Sequence, residues 1–458
     1  MDLLVDLDRS RPRLGDQLAV ALRDAISDGR LTPGARLPSS RELATELRLS
    51  RGVVVAAYEQ LVAEGRLLSR RGSGTVVAPV PSVVTPPSAT GSDLADVENL
   101  PLRPGLPDLS LFPRGAWRRA YEHALATVAD AELGYGDPAG APRLRTEMAG
   151  YLGRVRAARL GPDDLVMTTG AAQAFAILAE LLRSDGARAV ALEDPGSPGI
   201  RGHLAHHGLE LVPVPVDGDG LDVAALERTR APAVLVTPAH QFPTGVLLAP
   251  ARRSALVDWA RRTGGLIIED DYDAEFRYDR DPVGCLQGLA PDVVAHLGSV
   301  SKALAPALRL GWLAVPPDRR AQARRIKAAA DLGGPVLEQL AFAELIGSGG
   351  YDRHLRRARR AQRESRDALV SALAEKLPGA RVSGIAAGLH LVVELPDGVD
   401  DAAVAARARA TGLGPVALSS TRLGPPGPPG LVLGYAGQTP GRLADAVERL
   451  AAVVGSGA

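Results

Sequence analysis

From residue 102 onward, short runs rich in Val, Leu and Ile alternate with Ala/Leu-rich stretches of helical period. The strand candidates lie within 188–196, 209–217, 231–240, 265–276, 293–302 and 308–316, and helical segments such as 171–184 and 250–264 fall between them. Strands that alternate with helices predict a mostly parallel α/β sheet covered on both faces. In such sheets ligands meet the loops beyond the strand C-termini. This pattern restricts both the fold and the places where chemistry can sit.

The pattern does not extend to the first hundred residues. Residues 78–101, "APVPSVVTPPSATGSDLADVENLP", are rich in Pro, Ser and Thr and carry no helical or strand period. They read as a semi-extended linker. The chain therefore divides into a head over 1–78, a linker over 79–101 and a large domain over 102–458. In the head, Leu14, Leu18, Leu22 and Ile26 repeat at a spacing of four, and Gly29 closes that helix. Ser39 and Ser40 offer caps for a second helix with Leu43, Ala44 and Leu47 inside, and Ser50 caps a third with Val54, Ala57, Tyr58 and Leu61 inside. The stretch 65–78 is a hairpin signal around "RRGSG". Three helices and a hairpin make a winged helix-turn-helix, whose third helix enters the major groove by its N-terminus. Near that end lie Ser50 and Arg51, with Arg36, Ser39, Ser40 and Arg41 at the second helix and Arg70 and Arg71 on the hairpin. These are the candidate DNA contacts. Residues 1–78 hold twelve arginines against ten acids, so placement and not bulk charge carries that reading.

The formal net charge of the chain is +0, which excludes a bulk attraction to nucleic acid or anionic membrane. The one cysteine, Cys285, cannot form an intramolecular disulfide and fits a reducing compartment. No secretory signal pattern and no apolar run long enough to span a bilayer is visible. The expectation is a cytoplasmic protein with no membrane partner.

Three of the 53 basic residues are lysines, at 302, 327 and 376. Lys302 follows Ser299 and Ser301 at a strand end and precedes Arg309 by seven residues. A lysine amine can form a Schiff base with an aldehyde, whereas a guanidinium cannot. "TTGAAQAF" (168–175) opens a helix with small residues and makes a phosphate cradle. "IIEDDYD" (267–273) ends a strand with four carboxylates and a tyrosine, an arrangement that calls for a nearby cation or protonated base. Together these features suit a phosphorylated ring with an aldehyde and a protonated nitrogen, which is pyridoxal 5'-phosphate (PLP). Lys302 is then the Schiff-base residue.

Residues 29–78 resemble the DNA-binding domain of the GntR family through "G.RLPSSRELA", "LSR..V..AYEQL..EG" and "RRGSGT.V", dots marking skipped positions. Residues 103–455 resemble a fold-type I aminotransferase domain, and "TPAHQFPTG", "EDDYDAEF" and "SKALAPALRLGW" are similar to the MocR subfamily of GntR-type regulators. The resemblance implies an α+β winged helix-turn-helix head joined to an α/β, PLP-binding, aminotransferase-like domain. It further implies that Asp270 pairs with the pyridine nitrogen and Tyr272 bonds the ring oxygen. Ala171, Ala172, Ser299, Ser301 and Arg309 hold the phosphate, and Tyr135 reaches it from the partner of a homodimer. His240 and Phe242 occupy the segment near the ring oxygen.

The chain departs from the aminotransferase pattern twice. Ser197 stands where relatives carry a ring-stacking aromatic, and 430–436 lacks the arginine that clamps a substrate carboxylate, with Arg201 and Arg422 as possible substitutes. The leading expectation is a regulator that binds operator DNA, PLP and a small amine or amino-acid effector, and controls vitamin B6 synthesis. The alternatives are an active aminotransferase, and a DNA-binding module that uses the large domain only to dimerise.

Overall fold

A computed structural model of the chain describes residues 7–10, 12–70, 74–79, 100–278 and 283–455. The chain divides into two compact units, Met1–Ser92 and Asp93–Ala458. Most of the expected linker, 80–99, lies outside the described residues.

The first unit holds α1 (Leu14–Ser27), α2 (Ser40–Glu46), α3 (Arg51–Ala63) and an antiparallel hairpin of β1 (Leu67–Arg70) and β2 (Gly74–Val77). α1 ends two residues before Gly29, whose φ of +75° turns the chain where other residues are disfavoured. Ser39 starts α2 with a capping box, accepting from the Glu42 amide while the Glu42 carboxylate accepts from its own. Ser50 accepts from the Val53 amide and starts α3. Leu18, Leu22, Leu43, Val54, Ala57, Leu61 and Leu67 close the core between them, and the Tyr58 hydroxyl donates to the Pro38 carbonyl at 2.9 Å.

The second unit is built on an eight-stranded sheet. Its strands are β3 (Leu165–Thr168), β4 (Ala189–Asp194), β5 (Glu210–Asp217), β6 (Gly220–Leu221), β7 (Ala233–Val236), β8 (Leu266–Asp271), β9 (Val294–Ser299) and β10 (Gly311–Ala314). The spatial order is β3-β10-β9-β8-β7-β4-β5-β6. β10 runs antiparallel to both neighbours, and β6 is antiparallel to β5. Alternate residues feed two cores. Leu192, Leu235, Ile268 and Leu297 pack toward the helix Ala171–Ser184, and Ala191, Val234, Ile267 and Val294 pack toward Pro250–Thr263. Burial on both faces explains why these strands read as continuous apolar runs.

A second, antiparallel sheet orders β11 (Arg381–Ser383), β12 (His390–Glu394), β14 (Gly430–Gly434) and β13 (Val416–Ala417) as β11-β12-β14-β13. The alternation in the sequence does not single it out. Among the described residues, no helix is long and apolar enough to cross a membrane.

Candidate cofactor site and DNA-binding head

The loops beyond β3, β8 and β9 open onto a cavity of about 400 Å³. Lys302, Asp270, Tyr272, Ala171, Ala172, Ser299, Ser301 and Arg309 all line it, with Ser197, His203, Thr237, Phe242 and His390.

β8 sorts its terminal acids by strand alternation. Glu269 and Asp271 follow Ile267 to one face, and Asp270 follows Leu266 and Ile268 to the other. Glu269 accepts the amides of Leu286 and Gln287 at 2.8 and 3.0 Å. Asp271 accepts a fork from Arg156 at 2.7 and 3.1 Å and lies 3.1 Å from His296 Nε2. Burial raises the Asp271 pKa, but Arg156 and His296 outweigh it and hold the carboxyl below the ordinary carboxylate range. Asp273 Oδ2 lies 2.8 Å from His240 Nδ1. Asp270 is different. It is 5% exposed, its Oδ1 is buried with no hydrogen-bond partner, and burial, then Asp271 and Asp273, push its pKa up to about 7.

Gly170 precedes the helix Ala171–Ser184 with φ +93°, and a Cβ there would lie 2.7 Å from Arg309 Nη2. Only glycine leaves this wall clear, while the first amides of the helix have no carbonyl one turn back to bond. Arg309 donates to the Thr169 carbonyl, which holds its guanidinium beside that helix start. Lys302 is half-buried, its pKa is lowered by burial, and its Nζ donates to the Gly105 carbonyl.

The remaining candidates are placed differently. His240 does not line the cavity; its Nδ1 lies 3.1 Å from the Tyr272 hydroxyl, so it backs the tyrosine. Tyr135 is 92% exposed and borders a separate cleft with Gly136, Leu332 and Gly333. Arg201 donates to the carbonyls of Thr421 and Ser420, and the Arg422 guanidinium packs on Gly427; neither lines the cavity. Ser197 caps the helix Pro198–His206 by accepting from the Ile200 amide, a duty that an aromatic cannot perform. Sequence reasoning missed Pro104, Gly105, Thr237 and His390 around this site. His390 is buried, and burial and His240 push its pKa down to about 3, so it stands neutral over the cavity.

In the head, Arg36, Arg41, Ser50 and Arg51 are exposed, and Arg51 Nε lies 3.5 Å from Ser40 Oγ, joining the starts of α2 and α3. Ser39 is also exposed, but its hydroxyl is engaged in the capping box. Arg36 approaches the hairpin, bridging to Val76 and packing its guanidinium near Gly74. The backbone of Arg70 pairs with Gly74, and Arg71 lies outside the described residues.

Residues 14–77 match the bacterial regulatory proteins of the gntR family, and residues 110–449 match aminotransferase class I and II. The pyridoxine biosynthesis transcriptional regulator PdxR of Corynebacterium glutamicum is 36% identical over 95% of this chain and 94% of its own length. A probable rhizopine catabolism regulatory protein, MocR of Rhizobium meliloti, is 31% identical over 98% of this chain and 95% of its own. The chain belongs to the MocR subfamily of GntR-type regulators. Among solved structures, this MocR-type chain is similar to the α-aminoadipate aminotransferase LysN of Thermus thermophilus, with TM-score 0.71, 27% identity and coverage of 80% and 95% of the two chains. It is likewise similar to a kynurenine aminotransferase of Pyrococcus horikoshii, with TM-score 0.72, 25% identity and coverage of 79% and 93%. The aminotransferase domain of the MocR-type chain implies PLP as its cofactor.

The cavity fits that group on the chain's own geometry. The orphaned oxygen of Asp270 matches a ring N–H, the glycine-cleared wall beside Arg309 matches a phosphate, and Lys302 supplies the amine.

Proposed function

We propose that the chain is a transcriptional regulator in which the cavity binds PLP and the occupied state alters operator binding by the head. The observation that carries this reading is the unpartnered Asp270 Oδ1, buried in a wall that also presents Lys302 and Arg309. An orphaned buried acceptor is costly, and a protonated ring nitrogen relieves it. When bound, the cofactor supplies an aldehyde that takes up amines and a ring that accepts electrons. The chain's own residues supply the rest. Lys302 anchors the aldehyde carbon, Asp270 keeps the ring nitrogen protonated, and Tyr272, backed by His240, bonds the ring oxygen. Ala171, Ala172, Ser299, Ser301 and Arg309 hold the phosphate.

Arg309 is the one arginine among the described residues lining the cavity, and it is committed to the phosphate. Among the described residues lining the cavity no second guanidinium stands ready for a substrate carboxylate, which favours sensing over amino-acid transamination. The homodimer belongs to the same reading: Tyr135 is 92% exposed and borders a cleft other than its own cavity, so its side chain is available to another copy. Control of vitamin B6 synthesis follows from the likeness to the Corynebacterium regulator. The working boundaries are 1–78 for the head, 79–101 for the linker and 102–458 for the effector domain. In the head we assign operator contacts to Arg36, Ser39, Ser40, Arg41, Ser50, Arg51, Arg70 and Arg71.

The test adds PLP to purified protein, records the absorbance and reduces the mixture with borohydride. Mass spectrometry should place a phosphopyridoxyl group on Lys302, and operator affinity should differ between loaded and unloaded protein. Protein that stays colourless and unmodified refutes the cofactor site; modification without any change in DNA affinity refutes the sensing role.

A further inference from the structure

The segment Leu100–Gly105 is next in sequence to the stretch that leads from the head, and it is pinned to the small sheet. The Gly414 amide donates to the Pro101 carbonyl at 2.8 Å, and the Gly434 amide, at the end of β14, donates to the Leu102 carbonyl at 2.9 Å. Leu102 is buried and holds φ +66°, a left-handed conformation that a leucine adopts only when its surroundings enforce it. A Cβ at Gly434 would lie 2.2 Å from the Arg103 carbonyl oxygen, so the two backbones touch with no side chain between them. The segment ends at Gly105, which lines the cavity and whose carbonyl accepts the Lys302 amine.

One amine is thus claimed twice, since the cofactor proposed above also takes the Lys302 nitrogen. We propose that the Gly105 carbonyl positions the Lys302 amine in cofactor-free protein, and that cofactor attachment removes this hydrogen bond and loosens residues 100–105. The chemistry requires a loss of donors. A neutral amine condensing with an aldehyde forms a carbon–nitrogen double bond, and the aldehyde oxygen leaves as water with both amine hydrogens. The nitrogen keeps neither hydrogen, and if it later took up a proton that single N–H would be fixed in the plane of the new double bond. The Gly105 carbonyl is left without its partner. Gly105 itself, at φ +112°, has the backbone freedom to swing away. Cofactor occupancy is thereby read by the backbone next to the stretch leading to the head.

Hydrogen exchange of the Gly414 and Gly434 amides reports the pinning directly. Four samples are compared: cofactor-free protein, PLP-loaded protein, protein with pyridoxine 5'-phosphate, which carries an alcohol in place of the aldehyde, and cofactor-free Lys302→Met. PLP should speed exchange at both amides by about 10-fold or more. Pyridoxine 5'-phosphate should leave them at the cofactor-free rate, and Lys302→Met should exchange fast without any cofactor. Absorbance of the same samples separates the two readings. Attached cofactor with unchanged exchange overturns this inference alone, as does equal acceleration by pyridoxine 5'-phosphate. Absence of attachment overturns the cofactor site as well.

Discussion

Arg156, at the end of the helix Pro142–Arg156, forks onto Asp271 at 2.7 and 3.1 Å across 115 residues of sequence, and both side chains are buried. This pair frees its neighbour. With Asp271 neutralised from behind, by Arg156 and by His296 at 3.1 Å, Asp270 is the strand-end acid left to face the cavity unpaired.

Breaking that pair should be costly. Arg156→Met leaves the buried Asp271 with His296 beside it but without its guanidinium fork, and should destabilise the chain by ~3–5 kcal/mol, read from denaturant unfolding at pH 7. The Asp271 pKa is depressed in the folded protein, so its stabilisation is present above the unfolded value, about 4, and is lost as pH falls below that. The variant should therefore show a flatter loss of stability below about pH 4 than the parent.

Asp270 carries the opposite sign. Its folded pKa of about 7 lies above its unfolded value, so the folded protein holds the extra proton and loses stability as pH rises to about 7. Asp270→Asn removes that loss. In cofactor-free protein, the melting temperature of the variant minus that of the parent should grow from pH 5 to pH 8, by an amount worth on the order of a few kcal/mol. The same change should weaken PLP binding by about 10-fold or more, followed by absorbance titration. A variant that gains stability at pH 8 and binds PLP unchanged would remove Asp270 from the cofactor site.

Gly170 offers a test of the proposed phosphate wall. Gly170→Ala places a methyl 2.7 Å from the Arg309 guanidinium at a backbone φ of +93°. The strain should cost ~1–3 kcal/mol in thermal unfolding. Displacement of Arg309 should lower PLP affinity by about 10-fold while borohydride still fixes the cofactor on Lys302 at saturating concentration.

Gly52 in the head makes the reverse prediction. It is the second residue of α3, and a Cβ there meets nothing within 4 Å. Gly52→Ala should stabilise the head by ~0.5–1 kcal/mol, seen as slower hydrogen exchange of the α3 amides.

Much of this fold was legible because both helix caps and strand runs are local signals. Ser39, Ser50, and the apolar positions 54, 57, 58 and 61 mark the head from short-range spacing alone. The large sheet followed from its strands being buried on both faces. The reversal of β10 was not legible, since a strand's direction depends on its neighbours and not on its own residues. The small sheet escaped the same reading because its strands are short and β13 has two residues. Around the cavity, the local motifs at 168–175, 267–273 and 298–302 pointed to one place. The sequence carries no mark that Arg156 would reach Asp271 or that Gly105 would meet Lys302, because each relation is made only by tertiary packing.

The reversed strand has a mechanical consequence. The chain leaves the sheet at Ser299 and re-enters at Gly311, the residue opposite it in the register of β9 and β10. Lys302 and Arg309 therefore ride near the two feet of one closed loop. A ligand that grips both cinches this loop like a drawstring, so filling the cavity braces the middle of the sheet as well as the wall that the ligand touches.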